Sequence, residues 1–397
     1  MQQRNGISLA LGRSIAGCLA VLLVVGIAAY GYQFRNGLGV TGMSRNVPWG
    51  LYISQFTFLV GIAASSVLVI LPHTVHGKSD LAPLVLIGES ISVSALIGAI
   101  SFVLVDLGRP SRVLAVILYA APTSLMFWDI VTLSVYFLLC STILTASLVS
   151  PKGSHPNWLR PLILLSVPFA FGIHIVTAML YSGLAARAGW MTAILAPKFL
   201  ATAFASGSAL LMLLSSALRG MRRLRIEPAT TAHLATVMTY ALCATLLFSA
   251  LEIFTGVYSG IPSTEEHAEH LLVPSGHSPG PASLMLFSLA LSLVALGILL
   301  TPATRQRSTL VHWAGAMVLV SVLVEKGFTF ILSGFVPSAF GENVAYHPST
   351  PEVLIAGGIY AGAMLIFGAL LGPVTRQLKT SMIEIPDKQE SSCATSR

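Results

Sequence analysis

Charge is scarce in this chain. Only 9% of its 397 residues are Asp, Glu, Lys or Arg, while 55% are hydrophobic; soluble domains carry about 25% and roughly 45–50%. A soluble globular domain is excluded. No basic block is present either. Lys and Arg number 22 against 15 Asp and Glu, but they are spread over short segments between apolar runs, which excludes a nucleic-acid-binding domain and reads as membrane topology. The four cysteines, Cys18, Cys140, Cys243 and Cys393, stand far apart, with no CxxC and no CxxCH. Neither an Fe–S ligand run, a c-type haem attachment site nor a disulfide scaffold can be built from them. Low-complexity tracts and strong internal repeats are missing as well.

What the chain has is long apolar runs. A bilayer core takes about 20 apolar residues as a helix, and ten stretches qualify: Ser14–Tyr32, Trp49–Leu71, Leu81–Val105, Thr123–Leu148, Leu159–Tyr181, Phe199–Leu218, Thr231–Val257, Ala282–Leu300, Leu310–Ser333 and Val353–Leu371. The first lacks the A-x-A-like site of a cleaved signal peptide. Arg109–Pro122 reads as a short interfacial segment. The expectation is an all-α integral membrane protein with one polytopic domain over residues 1–380 and a polar cytoplasmic tail over 381–397.

Lys and Arg then set the orientation. With both termini cytoplasmic, 15 basic residues lie inside: Arg4, Arg13, Lys78, Lys152, Arg160, Arg219, Arg222, Arg223, Arg225, Arg305, Arg307, Arg376, Lys379, Lys388 and Arg397. Six lie outside, namely Arg35, Arg45, Arg109, Arg112, Arg187 and Lys198. That bias fits the positive-inside rule and predicts a multi-pass protein of a bacterial inner membrane.

Ionisable side chains within the spans carry the functional reading, because each costs about 2.5–3.5 kcal/mol at mid-membrane. They are Glu89, Asp129, Glu252, Glu325 and Lys326, with His174 beside them. Asp129, Thr132, Tyr136 and Cys140 share a helix face by spacing. His174, Thr177 and Tyr181 repeat the pattern one span later, and Trp49, Tyr52 and Gln55 repeat it in the second span. Asp106, Arg109 and Arg112 sit at the same level. Such polar-aromatic stripes suit a quinone head group, which needs donors for two carbonyls, a flat aromatic wall and exchange of two protons. The plainer alternative is that these groups only cross-link helices. Glu325 and Lys326 are expected to neutralise each other or to face different neighbours, and Glu252, with no cation in its span, reads as a proton relay. The outer cluster Glu265, Glu266, His267, Glu269, His270 and His277 reads as solvated and is assigned no metal. His233 and His312 both begin spans at the cytoplasmic side.

The run Gly37-Leu38-Gly39-Val40-Thr41-Gly42-Met43-Ser44-Arg45-Asn46-Val47-Pro48-Trp49-Gly50-Leu51-Tyr52-Ile53 resembles the start of the second span in the NrfD, or polysulfide-reductase membrane-subunit, family. Further matches are Val105-Asp106-Leu107-Gly108-Arg109-Pro110, Phe127-Trp128-Asp129, Gly172-Ile173-His174 and Ala196-Pro197-Lys198-Phe199. The ten spans are most similar to the DsrP-like and Qrc-type branch of sulfur-metabolism complexes. The resemblance implies two four-helix bundles plus flanking helices and no covalent or Fe–S cofactor in the chain. It implies menaquinone or ubiquinone as substrate, bound near the periplasmic face, and a periplasmic ferredoxin-like Fe–S partner. In the DsrP-like branch a multihaem cytochrome c, a membrane cytochrome b and a cytoplasmic Fe–S catalytic subunit join the complex. The family's acidic and His positions map onto Asp106, Asp129 and His174.

The expectation is therefore a quinone/quinol-interacting subunit of a respiratory complex. Asp129 and His174 form its acid/base pair, and Arg109 orients Asp106 and Asp129. Trp49, Tyr52, Gln55, Tyr136 and Tyr181 line the ring, while Glu89, Glu252, Glu325 and Lys326 form a proton path. Rival readings are a secondary transporter of a small anion, held by Arg109, Arg112 and Arg187, and a passive membrane anchor.

Overall fold

A backbone in hydrocarbon must satisfy its own N–H and C=O groups, which leaves helices as the solution for apolar runs of this length. In the computed structural model, which describes residues 2–78, 81–150, 156–220, 227–274, 280–335 and 346–383, ten helices are long and apolar enough to cross a membrane. They are Gly12–Asn36, Leu51–Thr74, Ala82–Asp106, Leu125–Val149, Leu159–Ser182, Leu195–Gly220, Pro228–Tyr258, Pro281–Leu300, Ser308–Ser333 and Thr350–Leu378. Each matches one expected span. The expected tail falls almost wholly outside the described residues, as do His277 and Cys393.

The second to fifth spans pack together as one bundle and the sixth to ninth as another; the second and fifth spans join the two by packing on the sixth. The first and tenth spans pair with each other, and the tenth also lies along the third. This is the expected plan of two four-helix bundles with flanking helices. The first and tenth spans approach backbone to backbone: a Cβ on Gly26 would lie 2.6 Å from the Cα of Gly358, so only glycine fits there. Elsewhere the first span presents Val21, Val24 and Ile27 outward, an apolar surface suited to lipid.

Two spans depart from regular α-helix. The second turns 3-10 at Ala64–Ser66. There the Ala63 carbonyl accepts a hydrogen bond from the Tyr136 hydroxyl at 3.0 Å. The ninth widens into a π turn at Glu325–Thr329, where the Thr329 hydroxyl donates to the Val324 carbonyl at 3.0 Å and Gln55 Nε2 donates to the Gly327 carbonyl at 2.7 Å. Breaks inside a membrane helix persist when side chains satisfy the freed groups.

Two expectations about individual residues need correction. Trp49 precedes the second helix, which starts at Leu51, so it does not share a helical face with Tyr52 and Gln55. Lys198 belongs to the sixth helix and is buried, because its hydropathy cost is met by two carboxylates. The interfacial segment is a 3-10 turn, Pro110–Arg112, and a one-turn helix, Ala115–Leu118, with Leu118 and Tyr119 exposed.

Candidate functional site

Tyr181 ends the fifth span at the end of the molecule that carries the 37–50 and 183–194 connections, where basic residues are few. It is completely buried. Its ring stands 5.0 Å from that of Phe330, 5.3 Å from Trp190, 5.5 Å from Trp49 and 6.1 Å from Phe199, mostly edge to face. Its hydroxyl meets the Thr57 hydroxyl at 2.6 Å. Trp190 is fixed by an Nε1 hydrogen bond to the Phe330 carbonyl at 3.0 Å. Gly334 makes room for it: a Cβ there would fall 1.8 Å from the indole.

Beneath this aromatic wall the fifth span turns two polar groups inward. Thr177 donates to Asp129 Oδ1 on the fourth span at 2.6 Å, and Asp129 is 6% exposed. His174, one turn earlier, has no exposed surface. Its Nδ1 lies 2.7 Å from the Ala170 carbonyl, so Nδ1 carries the proton and Nε2 is left as an acceptor. That Nε2 has no hydrogen-bond partner. Lys326 Nζ is also buried and without a hydrogen-bond partner, lying 4.1 Å from the centre of the Phe199 ring. A buried acceptor and a buried donor are thus left open at the junction of the two bundles.

The other expected site residues disperse. Tyr52 donates to Gln33 Oε1 at 2.6 Å, and Gln33 in turn donates to the Val105 carbonyl at 2.7 Å. Tyr52 therefore faces the first and third spans and does not wall the Tyr181 region. Gln55 is held at both ends, by the Gly327 carbonyl and by the Tyr360 hydroxyl at 2.7 Å, which makes it a brace between the second, ninth and tenth spans. Tyr136 points to Ala63 and Ser66 at the 3-10 break. There it neighbours Cys140 and Glu89, whose two oxygens are buried without hydrogen-bond partners. Asp106 ends the third span with Oδ1 buried and unpartnered. Arg109 is exposed and lines a cavity of about 180 Å³ with Tyr30, Gln33 and Ser111; among the described residues it makes no ion pair with Asp106 or Asp129.

Of the two alternatives expected for Glu325 and Lys326, the structure shows the one in which they face different neighbours. Glu325 pairs with Lys198, Nζ to Oε1 2.8 Å, and not with Lys326. Lys198 also holds Glu252 Oε2 at 2.6 Å, and the Ser249 hydroxyl donates to Glu325 at 3.3 Å. Glu252, which has no cation in its own span, meets one from the sixth span and is one arm of a carboxylate-ammonium-carboxylate triad. Its other side lines a cavity of about 210 Å³ beneath the connecting helix Pro262–Leu272, with Thr192, Thr264 and His267.

Glu352 is a clamp that the hydropathy pattern does not single out. It is fully buried and accepts from the Gly42 and Ser349 amides, both at 2.7 Å, and from the Tyr346 hydroxyl at 2.6 Å. Tyr346 in turn accepts from the Leu51 amide at 2.8 Å, so one carboxylate fixes the connection that presents Trp49. The pattern Ser349-Thr350-Pro351-Glu352 has the capping-box spacing that announces it. Arg187 is also structural: it donates to the Asn46 carbonyl at 3.0 Å and lies over the Phe335 ring. Burial lowers its pKa from the usual guanidinium value.

The family model "Polysulphide reductase, NrfD" matches residues 39–339. Among curated proteins, the chain is 30% identical over 223 residues to a putative dimethyl sulfoxide reductase membrane subunit of Halobacterium salinarum, covering 52% of this chain and 51% of that protein. It therefore spans about half the length of that relative. It is 25% identical to the Hdr-like menaquinol oxidoreductase integral membrane subunit of Archaeoglobus fulgidus, over 90% of this chain and 92% of the other. A selenate reductase subunit of Mesobacillus selenatarsenatis is 22% identical over 83% of this chain and 84% of its own length.

Proposed function

Because the chain belongs to the NrfD polysulphide reductase family, we propose that it is the membrane subunit through which a respiratory oxidoreductase complex exchanges electrons with quinol. The observation that carries this is the open, fully buried His174 Nε2, one helical turn from the Thr177 that holds Asp129, below the Tyr181 aromatic wall. The name of the Archaeoglobus relative supports menaquinol as the substrate.

Oxidation of a quinol releases two electrons and two protons. The neutral His174 Nε2 takes one hydroxyl proton and the Asp129 carboxylate takes the other. Thr177 holds that carboxylate and Ala170 holds the imidazole tautomer, so both acceptors are oriented before substrate arrives. Tyr181, Trp49 and Trp190 supply the flat apolar surface for the ring. The two electrons pass to a periplasmic ferredoxin-like Fe–S partner docked over the sparsely basic end, within a sulfur-metabolism complex of the DsrP-like kind, and both termini lie in the cytoplasm of a bacterial cell. Lys326, Glu325, Lys198 and Glu252 form the route from the His174 side to the cavity under the Pro262–Leu272 helix, which couples redox chemistry to proton movement.

The test is Asp129→Asn in the assembled complex. Quinol-dependent reduction of the partner's Fe–S centres falls by about 100-fold or more, while insertion and subunit assembly are retained. Wild-type turnover in that variant removes Asp129 from the chemistry.

A further inference from the structure

At the opposite, basic end, where the sixth and eighth spans finish and the seventh and ninth begin, a third cavity of about 170 Å³ has no part in the quinol reading. Its polar lining is Arg219, Arg305, Gln306, Ser308, His312 and Thr231, with no Asp or Glu among the described lining residues. Two guanidinium groups thus approach one concavity without a carboxylate in its described wall. Arg305 donates to the Thr236 hydroxyl at 2.6 Å, which ties its side chain toward the seventh span. His312 is held against the Ser216 hydroxyl.

The backbone contributes both signs, since the sixth span ends beside the cavity at Gly220 with its negative pole while two other spans begin there. The seventh span starts at Pro228 and the ninth at Ser308, helices of 31 and 17 residues, and neither has a side-chain cap on its first-turn amides. Each therefore presents the positive end of a long helix dipole to the cavity. The remaining wall is apolar, formed by Pro228, Ala232, Ala235 and Val311, and Trp313 lies exposed one residue beyond His312. A small hydrophilic anion has no use for an apolar wall, whereas a phosphodiester with its glycerol and acyl chains fits both surfaces. Basic concavities between spans on this side of a membrane are suited to anionic lipid head groups.

We infer that the Arg219–Arg305 cavity is a binding site for a phosphate-bearing anion, filled by the head group of an anionic phospholipid. The site lies across the molecule from Asp129 and His174 and is independent of the quinol reading.

The experiment uses the full chain, purified in mild detergent and stripped of lipid. Phosphatidylglycerol, phosphatidylcholine and inorganic phosphate are added separately, and bound lipid is counted by native mass spectrometry alongside the thermal midpoint. Phosphatidylglycerol is expected to bind and raise the midpoint, phosphatidylcholine to do neither. Arg219→Gln with Arg305→Gln weakens that binding about tenfold or more. Arg219→Gln alone weakens it in part; Arg219 is exposed, so its loss does not threaten folding. A midpoint raised by inorganic phosphate alone, and lost in the double variant, keeps the anion site and assigns it to free phosphate. Phosphatidylglycerol binding that is equal in wild type and double variant, or no response to either anion, overturns the proposal.

Discussion

Glu325 and Lys326 are neighbours in sequence, yet Glu325 binds Lys198 at 2.8 Å while Lys326 Nζ has no hydrogen-bond partner. Both stand in the π turn that begins at Glu325. Consecutive residues of a helix point roughly 100° apart, and a little less in a π turn, so Glu325 turns to Lys198 and Ser249 while Lys326 turns to Phe199 and Gly61.

Lys198 neutralises two buried carboxylates, so its removal leaves them facing each other. Lys198→Met is expected to cost about 3–5 kcal/mol, as when one partner of a buried pair is deleted. Thermal unfolding in detergent measures it. The triple variant Lys198→Met, Glu252→Gln, Glu325→Gln recovers most of the loss, since no unpaired charge remains. An unchanged midpoint in the single variant contradicts the triad.

Glu252→Gln keeps the Lys198–Glu325 pair, so it spares quinol oxidation to within about twofold and abolishes the linked proton movement of the proposed route. Both are read in proteoliposomes with a pH-sensitive dye. Loss of quinol oxidation in this variant would move Glu252 into the substrate site.

Thr177 positions Asp129 and touches no other expected substrate group. Thr177→Val removes one hydrogen bond to a charged acceptor, worth about 1.5–3 kcal/mol, and lowers quinol turnover by about tenfold or more. Thr177→Ser restores it. A purely structural role predicts instead equal turnover at reduced thermal stability.

Gly334→Ala places a methyl group inside the Trp190 indole position. Overpacking of this kind costs about 1–3 kcal/mol, and displacement of Trp190 from Phe330 changes the tryptophan emission. Emission and midpoint identical to wild type would show that the wall tolerates the methyl group.

Glu352→Gln weakens three hydrogen bonds, two of which, from the Gly42 amide and the Tyr346 hydroxyl, hold the 42–51 connection. The variant is expected to unfold earlier and to be cut by protease near Arg45 faster than wild type. Equal cleavage rates rule out the clamp.

Most of the architecture was legible in the sequence because it is local. A run of about 20 apolar residues buries itself in lipid whatever its neighbours do, and all ten runs became helices. Of the expected face Asp129, Thr132, Tyr136 and Cys140, all but Thr132 turn into the core, since spacing along one helix fixes a face, and Thr132 donates back to the Trp128 and Asp129 carbonyls. What spacing does not fix is the neighbour opposite that face. Tyr52 and Gln55 lie one turn apart, yet one meets Gln33 and the other the π turn and Tyr360. Lys198 looked like a loop cation because its cost falls on any hydropathy window, and only the approach of the seventh and ninth spans supplied the carboxylates that offset it. The sequence alone determined which chain segments enter the membrane and which titratable groups go with them. The tertiary structure decided which of those groups are paired and which stay open, because pairing across helices depends on packing between segments far apart in the chain.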